Sequence, residues 1–271
     1  VSAIGTHHHI PRLAVPPQRQ VKLSQLLREI GVTLSNRSLV VVMISGLCSG
    51  IATGMTGALS QYFYLELWGL TASHISYLAL ASVLASFAGI AITGPASRAW
   101  GKKNAMIGLF GVATTTAALP ILLRLLGLMP PNSSPWVFTI LWIDAFVATT
   151  LAIGGFIIIS SMIADVVEDA AVATGVRSEG LLFAANGLLP KFTAGIGVFL
   201  SGVLLTVVAF PVDAAAGSAP PEVMRHLALI YLPLTFAVNT LSILVLIFYR
   251  IDKDTHERNV ATLEAAATMA E

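Results

Sequence analysis

The sequence predicts an all-α, polytopic membrane bundle of six transmembrane helices. Mean hydropathy is +0.83, and 56% of the 271 residues are hydrophobic. Only 11% are charged, against about a quarter in an ordinary soluble domain. The apolar residues gather into six stretches, each meeting the ~20 residues needed to cross a ~30 Å hydrocarbon core. Lysine and arginine then fall almost entirely on one side of those stretches.

Residues 1–37 form a polar lead with Pro11, Pro16 and Pro17 and no apolar core, so no cleavable signal peptide is visible. Within it Val21, Leu23, Leu26, Leu27 and Ile30 are spaced as on a short amphipathic helix suited to a membrane surface or a linker. Adjacent histidines His7, His8 and His9 cannot all face one ion, and no carboxylate lies near them, so a metal site is not expected there. The chain begins with Val1 rather than Met, which reads as a piece of something longer.

The bundle occupies residues 38–250. Its spans are expected at about 39–64, 74–95, 105–127, 135–164, 181–210 and 226–249, and a polar tail follows over 251–271. The first span is rich in glycine, and the fourth is long enough to tilt or to project past the bilayer. Arg12, Arg19, Lys22, Arg28, Arg37, Arg98, Lys102, Lys103, Arg177, Arg250, Lys253 and Arg258 fall on one side of this topology. Only Arg124 and Arg225 fall on the other, so the positive-inside rule puts both termini in the cytoplasm.

One cation belongs to neither side. Lys191 lies about 15 Å along a helix from Leu181, near the middle of the fifth span. An ammonium there costs at least ~2.5–3.5 kcal/mol unless it faces a partner or a wet cavity. Gly187, Ala194 and Gly195 flank it at helical spacing, so a neighbouring helix or a solute has room to approach. A substrate- or ion-site lysine is the reading that follows; snorkelling to the interface is the alternative, over a long reach.

Further charges call for partners. Asp144 lies about 12 Å into the fourth span, where a carboxylate is paired, protonated or water-facing; Lys191 and Arg124 are both candidate partners. Asp165, Glu168 and Asp169 crowd the cytoplasmic end of that span, where they oppose the helix macrodipole. The basic run Arg98, Lys102 and Lys103 is on the same side, and the two groups together suggest a cytoplasmic ionic latch. Glu179 begins the fifth span and suits its dipole. Trp142, Phe146 and Phe156 in the fourth span serve either packing or stacking on a substrate ring.

The run from Met162 to Asp169, then Thr174, Gly175, Arg177, Glu179, Gly180 and Lys191, resembles the glycoside–pentoside–hexuronide:cation symporter family. This is the melibiose permease-like branch of the major facilitator superfamily. Its members have twelve spans in two six-helix halves, and this chain looks like the C-terminal half, helices seven to twelve. The resemblance implies that the family's helix-eleven lysine falls on Lys191, an aromatic cavity position on Phe156 and a polar one on Asn186. It also implies a Na⁺ or H⁺ coupling ion held chiefly by acidic residues of the N-terminal half, and no other cofactor. Pro190 departs from the family pattern and is expected to disturb the helix beside Lys191.

The expected function is cation-coupled symport of a sugar or glycoside by alternating access, in a bacterial inner membrane. Lys191, Phe156, Asn186 and Asp144 would line the cavity. Asp165, Glu168, Arg98, Lys102, Arg177 and Glu179 would close its cytoplasmic side. The expected partners are the lipid bilayer, a small solute and an N-terminal six-helix half, with no nucleic acid. A lysolipid-type symporter and a non-transporting half that serves as a scaffold are the alternatives. No nucleophile–base pair, metal cluster or phosphate-cradling glycine loop supports an enzyme.

Overall fold

The computed structural model describes residues 37–174, 179–211, 217–249 and 258. It is all-helical over these residues, with no strand among them. Helix α1 (Arg37–Tyr62) runs into a π-helical turn (Phe63–Leu67), followed by α2 (Ala72–Leu125), α3 (Pro135–Thr174), α4 (Glu179–Val207) and α5 (Pro221–Leu246). The amphipathic segment, the three adjacent histidines and Arg177 lie outside the described residues, as does the polar tail apart from Arg258.

Five helices are long and apolar enough to cross a membrane. The difference from the six expected spans lies in α2, which at 54 residues takes in both the second and the third. It is not straight. Gly101 sits at φ 73 and ψ 156, a backbone conformation essentially confined to glycine. Leu78 and Ile121, more than forty residues apart, join one core cluster, although a straight helix would hold them about 65 Å apart. Midway, a side chain added at Gly154 of α3 would meet both Ile92 and Leu109, one from each arm of α2. The chain therefore doubles back at Gly101, and a single residue replaces the expected loop.

Two apolar clusters hold the helices together. One gathers Phe63, Trp68, Leu78, Ile121, Val137 and Leu227 at what we call the Trp68 end. The other gathers Leu39, Met106, Phe110, Ile158, Met162 and Tyr249 at the Lys102 end. Between α1 and α4 the contact is backbone to backbone. A Cβ at Gly54 would overlap the Ala194 carbonyl, and one at Gly197 would overlap the Ile51 carbonyl. Small residues are what let apolar helices approach this closely when no hydrophobic force acts between them. A polar contact joins α1 to α5, where the Ser45 and Ser242 hydroxyls are 3.0 Å apart and Ser242 Oγ donates to the Ser45 carbonyl at 2.8 Å. Outside the bundle, Phe87 and Phe199 are 69% and 70% exposed, the reverse of a water-soluble surface.

Helix ends are set locally. Thr71 caps α2, its hydroxyl accepting the His74 N–H at 3.3 Å while its own N–H donates to His74 Nδ1 at 3.5 Å. Pro221 opens α5 at a position where its missing N–H costs nothing. Pro190 lies inside α4, which continues as a helix through it.

Candidate functional site

The Lys102 end is built on charge. Asp165, in the last third of α3, is buried. Lys102 Nζ donates to both of its carboxylate oxygens at 2.7 Å. Because Gly101 reverses the chain immediately before it, Lys102 opens the second arm of α2 facing α3. Lys103 turns the other way and donates to the Ile247 carbonyl at 2.5 Å and the Tyr249 carbonyl at 3.0 Å. Those carbonyls lie at the C-terminus of α5, where a cation suits the dipole and the otherwise unpaired oxygens. Tyr249 is buried and donates its hydroxyl to the Met162 carbonyl at 3.4 Å. Burial, with the Asp165 and Asp169 carboxylates nearby, pushes its phenol far above the ordinary tyrosine range. Arg98 is exposed and makes no ion pair among the described residues. The side chains of Glu168, Glu179 and Asn186 lie outside the described residues.

Between α1, the second arm of α2, α3 and α4 lies a cavity of about 370 Å³. Ser49, Thr53, Phe110, Phe156, Ser160 and Pro190 are among its lining residues, and no charged side chain is. Phe156 is held edge-on to Phe110, with ring centroids 5.1 Å apart at 84°. Most of the wall is aliphatic, and three hydroxyls, on Ser49, Thr53 and Ser160, interrupt it. Ser160 directs its proton to the Phe156 carbonyl at 2.9 Å, leaving its oxygen lone pairs as acceptors.

Lys191 follows cavity-lining Pro190 and is exposed on the bundle surface, with no ion pair or hydrogen bond among the described residues. Gly50, at the midpoint of α1, abuts Thr193 and the Pro190 carbonyl. The turn carrying Lys191 therefore lies halfway along α1. Of the small residues flanking this lysine, Gly195 leaves room, since a side chain there would meet nothing within 4 Å, whereas Ala194 packs on α1 with Thr193 and Gly197; the surroundings of Gly187 lie outside the described residues. Helical rotation explains the division: positions 193, 194 and 197 share one stripe, and 191 and 195 share another.

Asp144 sits nearer the Trp68 end and is half-buried. Neither expected partner reaches it. Arg124 donates to the Pro130 carbonyl at 3.0 Å and to Asn132 Oδ1, and its guanidinium lies 4.8 Å from the Trp68 ring centroid. Asn132 in turn donates to the Leu67 carbonyl at 3.0 Å. Glu66, which the sequence reading left out, accepts the Gly217 N–H at 2.7 Å and the Ala219 N–H at 2.9 Å. Together these residues tie the π turn to both of the neighbouring connections at this end.

Apolar membrane-length helices around a cavity that reaches mid-depth from one end are the build of a membrane transport protein. The chain belongs to the MFS/sugar transport protein family, whose model matches residues 1–253. That family is one of transporters rather than enzymes. An uncharacterized symporter of Synechocystis is 28% identical over 76% of this chain and 36% of its own length. A provisionally named 2,3-dihydroxypropane-1-sulfonate exporter of Salmonella typhimurium is 27% identical over 93% of this chain and 52% of its own length. An uncharacterized symporter of Bacillus subtilis is 23% identical over 82% of this chain and 45% of its own length. The chain thus spans about half, or less, of the curated relatives it matches.

Proposed function

We propose that this chain is the C-terminal, six-crossing half of a cation-coupled secondary transporter that carries a sugar or glycoside by alternating access. Counting the two arms of α2 separately supports six crossings. The Lys102 end would be cytoplasmic, since the lysines and arginines collect there. A second six-helix half would close over the cavity, and the solute would sit between the halves near mid-membrane. The observation that carries this reading is the cavity itself, which runs from Leu39 at the Lys102 end to the depth of Gly50, with Phe156 in its wall and Lys191 beside it.

In this arrangement Phe156 offers a flat apolar face to a sugar ring, while the hydroxyls of Ser49, Thr53 and Ser160 meet the ring's own hydroxyls. Lys191 supplies a charged donor from the adjacent turn, and Asn186 a further polar contact. The Lys102–Asp165 pair, with Arg98, Glu168, Arg177 and Glu179, would make up the cytoplasmic closure. The membrane would be a bacterial inner membrane, and the coupling ion Na⁺ or H⁺, held mainly by the other half.

A second substrate class has an observation in its favour. The wall is largely aliphatic, which suits the acyl chain of a lysolipid-type amphiphile better than a sugar hydroxylated on every side. An acidic polyol such as the sulfonate named for the Salmonella relative would instead use Lys191 as its counter-ion. Uptake by the full-length protein in liposomes separates these classes. The panel is a labelled disaccharide, a hexuronate, 2,3-dihydroxypropane-1-sulfonate and a lysophospholipid, each with and without a Na⁺ or H⁺ gradient. Saturable, gradient-driven uptake of the sugars supports the first reading; transport of the lipid alone replaces it. Transport of no member leaves the scaffold reading in its place.

A further inference from the structure

We propose that Gly155, which does not itself line the cavity, sets its width by letting the Phe110 ring stand back from it, and so decides the bulk of the solute admitted. Resting on the transporter reading above, this makes a residue with no side chain a determinant of selectivity. Gly155 is buried midway along α3, directly before Phe156. Phe110 and Phe156 both line the cavity, and Gly155 is not among its lining residues. A Cβ built at Gly155 would overlap Cδ2 and Cε2 of the Phe110 ring. Carbon atoms in contact stand about 3.5–4.0 Å apart, so the ring lies where it does only because position 155 carries no side chain.

The neighbours decide where a displaced ring would go. Phe110 sits on the second arm of α2, one turn past Met106, and is buried in the cluster that holds Met106, Ile158 and Met162. Those three side chains are almost wholly enclosed, and an interior packed in this way takes no further carbon without displacement. The Phe156 ring closes another side, edge-on at 5.1 Å between centroids. The open space that borders the Phe110 ring is the cavity of about 370 Å³. Elsewhere in its wall Gly46 of α1 has nothing within 4 Å of its Cβ position, so room is left inside. A methyl group at 155 would therefore turn the ring into the cavity and narrow it.

Gly154 provides the contrast. It too is buried on α3, but a Cβ there would meet Leu109 Cδ1 at 3.2 Å and the Ile92 side chain at 3.5 Å. These are ends of aliphatic side chains, and neither residue lines the cavity. Adjacent glycines thus serve different ends: Gly154 lets α2 and α3 approach, and Gly155 keeps space for a solute. In an apolar pocket a single methylene changes selectivity by about 10–200-fold.

The test is the reaction of a cavity thiol with reagents of two sizes. Ser160→Cys in a Cys48→Ser background puts one thiol on the cavity wall. The full-length protein in liposomes is treated with methyl methanethiosulfonate or benzyl methanethiosulfonate, and the ratio of the two rates is read. Gly155→Ala is expected to raise the methyl-to-benzyl ratio about tenfold. Phe110→Leu alone lowers it, Gly155→Ala with Phe110→Leu returns it toward the starting value, and Gly154→Ala leaves it unchanged. A ratio unmoved by Gly155→Ala, or moved as far by Gly154→Ala, overturns the proposal. Where Gly155→Ala does not fold, the double variant decides. Recovery of folded protein by Phe110→Leu supports the role of the ring, and failure to recover it shows crowding against something else and overturns that role. Uptake of the hexuronate and the disaccharide is read on the same variants without Ser160→Cys. Selective loss of the disaccharide in Gly155→Ala is expected, and equal loss of both overturns the effect on solute size. Absence of all uptake in the wild type counts against the transporter reading, while the reagent ratio still decides what Gly155 does to the cavity.

Discussion

Asp165 and Lys102 depend on each other unequally. Lys102 keeps about a third of its side chain exposed, whereas Asp165 is nearly enclosed. Removing the lysine therefore takes from a buried carboxylate the cation that meets both of its oxygens, while removing the carboxylate leaves an ammonium that water can still reach. Breaking a fully buried pair costs ~3–5 kcal/mol; with one partner part-exposed, Lys102→Ala is expected to cost about 2 kcal/mol. Adding Asp165→Asn should recover most of that loss. Thermal unfolding of the single and double variants checks both, and a double variant no more stable than Lys102→Ala would contradict the asymmetry. At this scale the sequence was partly legible. It put a basic run and an acidic run on one side of the membrane, but which lysine takes the carboxylate depends on the reversal at Gly101. Asp144 shows the limit from the other direction. Both cations within plausible reach of it were identified from depth alone, and depth says nothing of rotation around a helix axis.

Helix pairs follow from small residues in register. Gly54 and Gly197 lie where the backbones of α1 and α4 touch, and no side chain fits at either. Gly195, two residues from Gly197, faces open space. Gly54→Val and Gly197→Val are accordingly expected to abolish folded yield in detergent. Gly195→Ala should be neutral or stabilising by up to about 1 kcal/mol, because it relieves the entropic cost of a helical glycine. Size-exclusion profiles of the three variants decide this, and equal behaviour at 195 and 197 would refute the assigned helix rotation. Gly101 differs in kind: its limit is backbone conformation, since nothing lies within 4 Å of its Cβ position. Gly101→Ala should cost about 1–3 kcal/mol through strain alone, measurable as a lower unfolding temperature. Apolar segments and their helical nature were plain in the sequence. The reversal was read as a loop because glycine, two lysines and an asparagine in a row look like polar punctuation, and a single left-handed residue leaves no stronger trace. Contacts at the Trp68 end were illegible for a related reason. Arg124, Asn132 and Glu66 act between connections distant in sequence, and their partners are mostly backbone groups with no residue signature.

Across the described residues, the bundle is apolar outside, carries most of its charges toward its ends, and exposes the ammonium of Lys191 halfway along its depth. Lipid and a second protein half make different demands on that ammonium. Acyl chains would leave it uncompensated, whereas a crevice between halves would keep it hydrated and within reach of a solute. The transport account stands on the second condition. Lys191→Cys in a Cys48→Ser background, in liposomes containing the full-length protein, measures it through reaction with a membrane-impermeant thiol reagent. Only a hydrated thiol forms the reactive thiolate at a useful rate. The account predicts labelling that depends on the side of addition and falls about tenfold when the transported solute is present. A cysteine at 191 that reacts from neither side, with or without solute, would place this position against lipid and contradict the account.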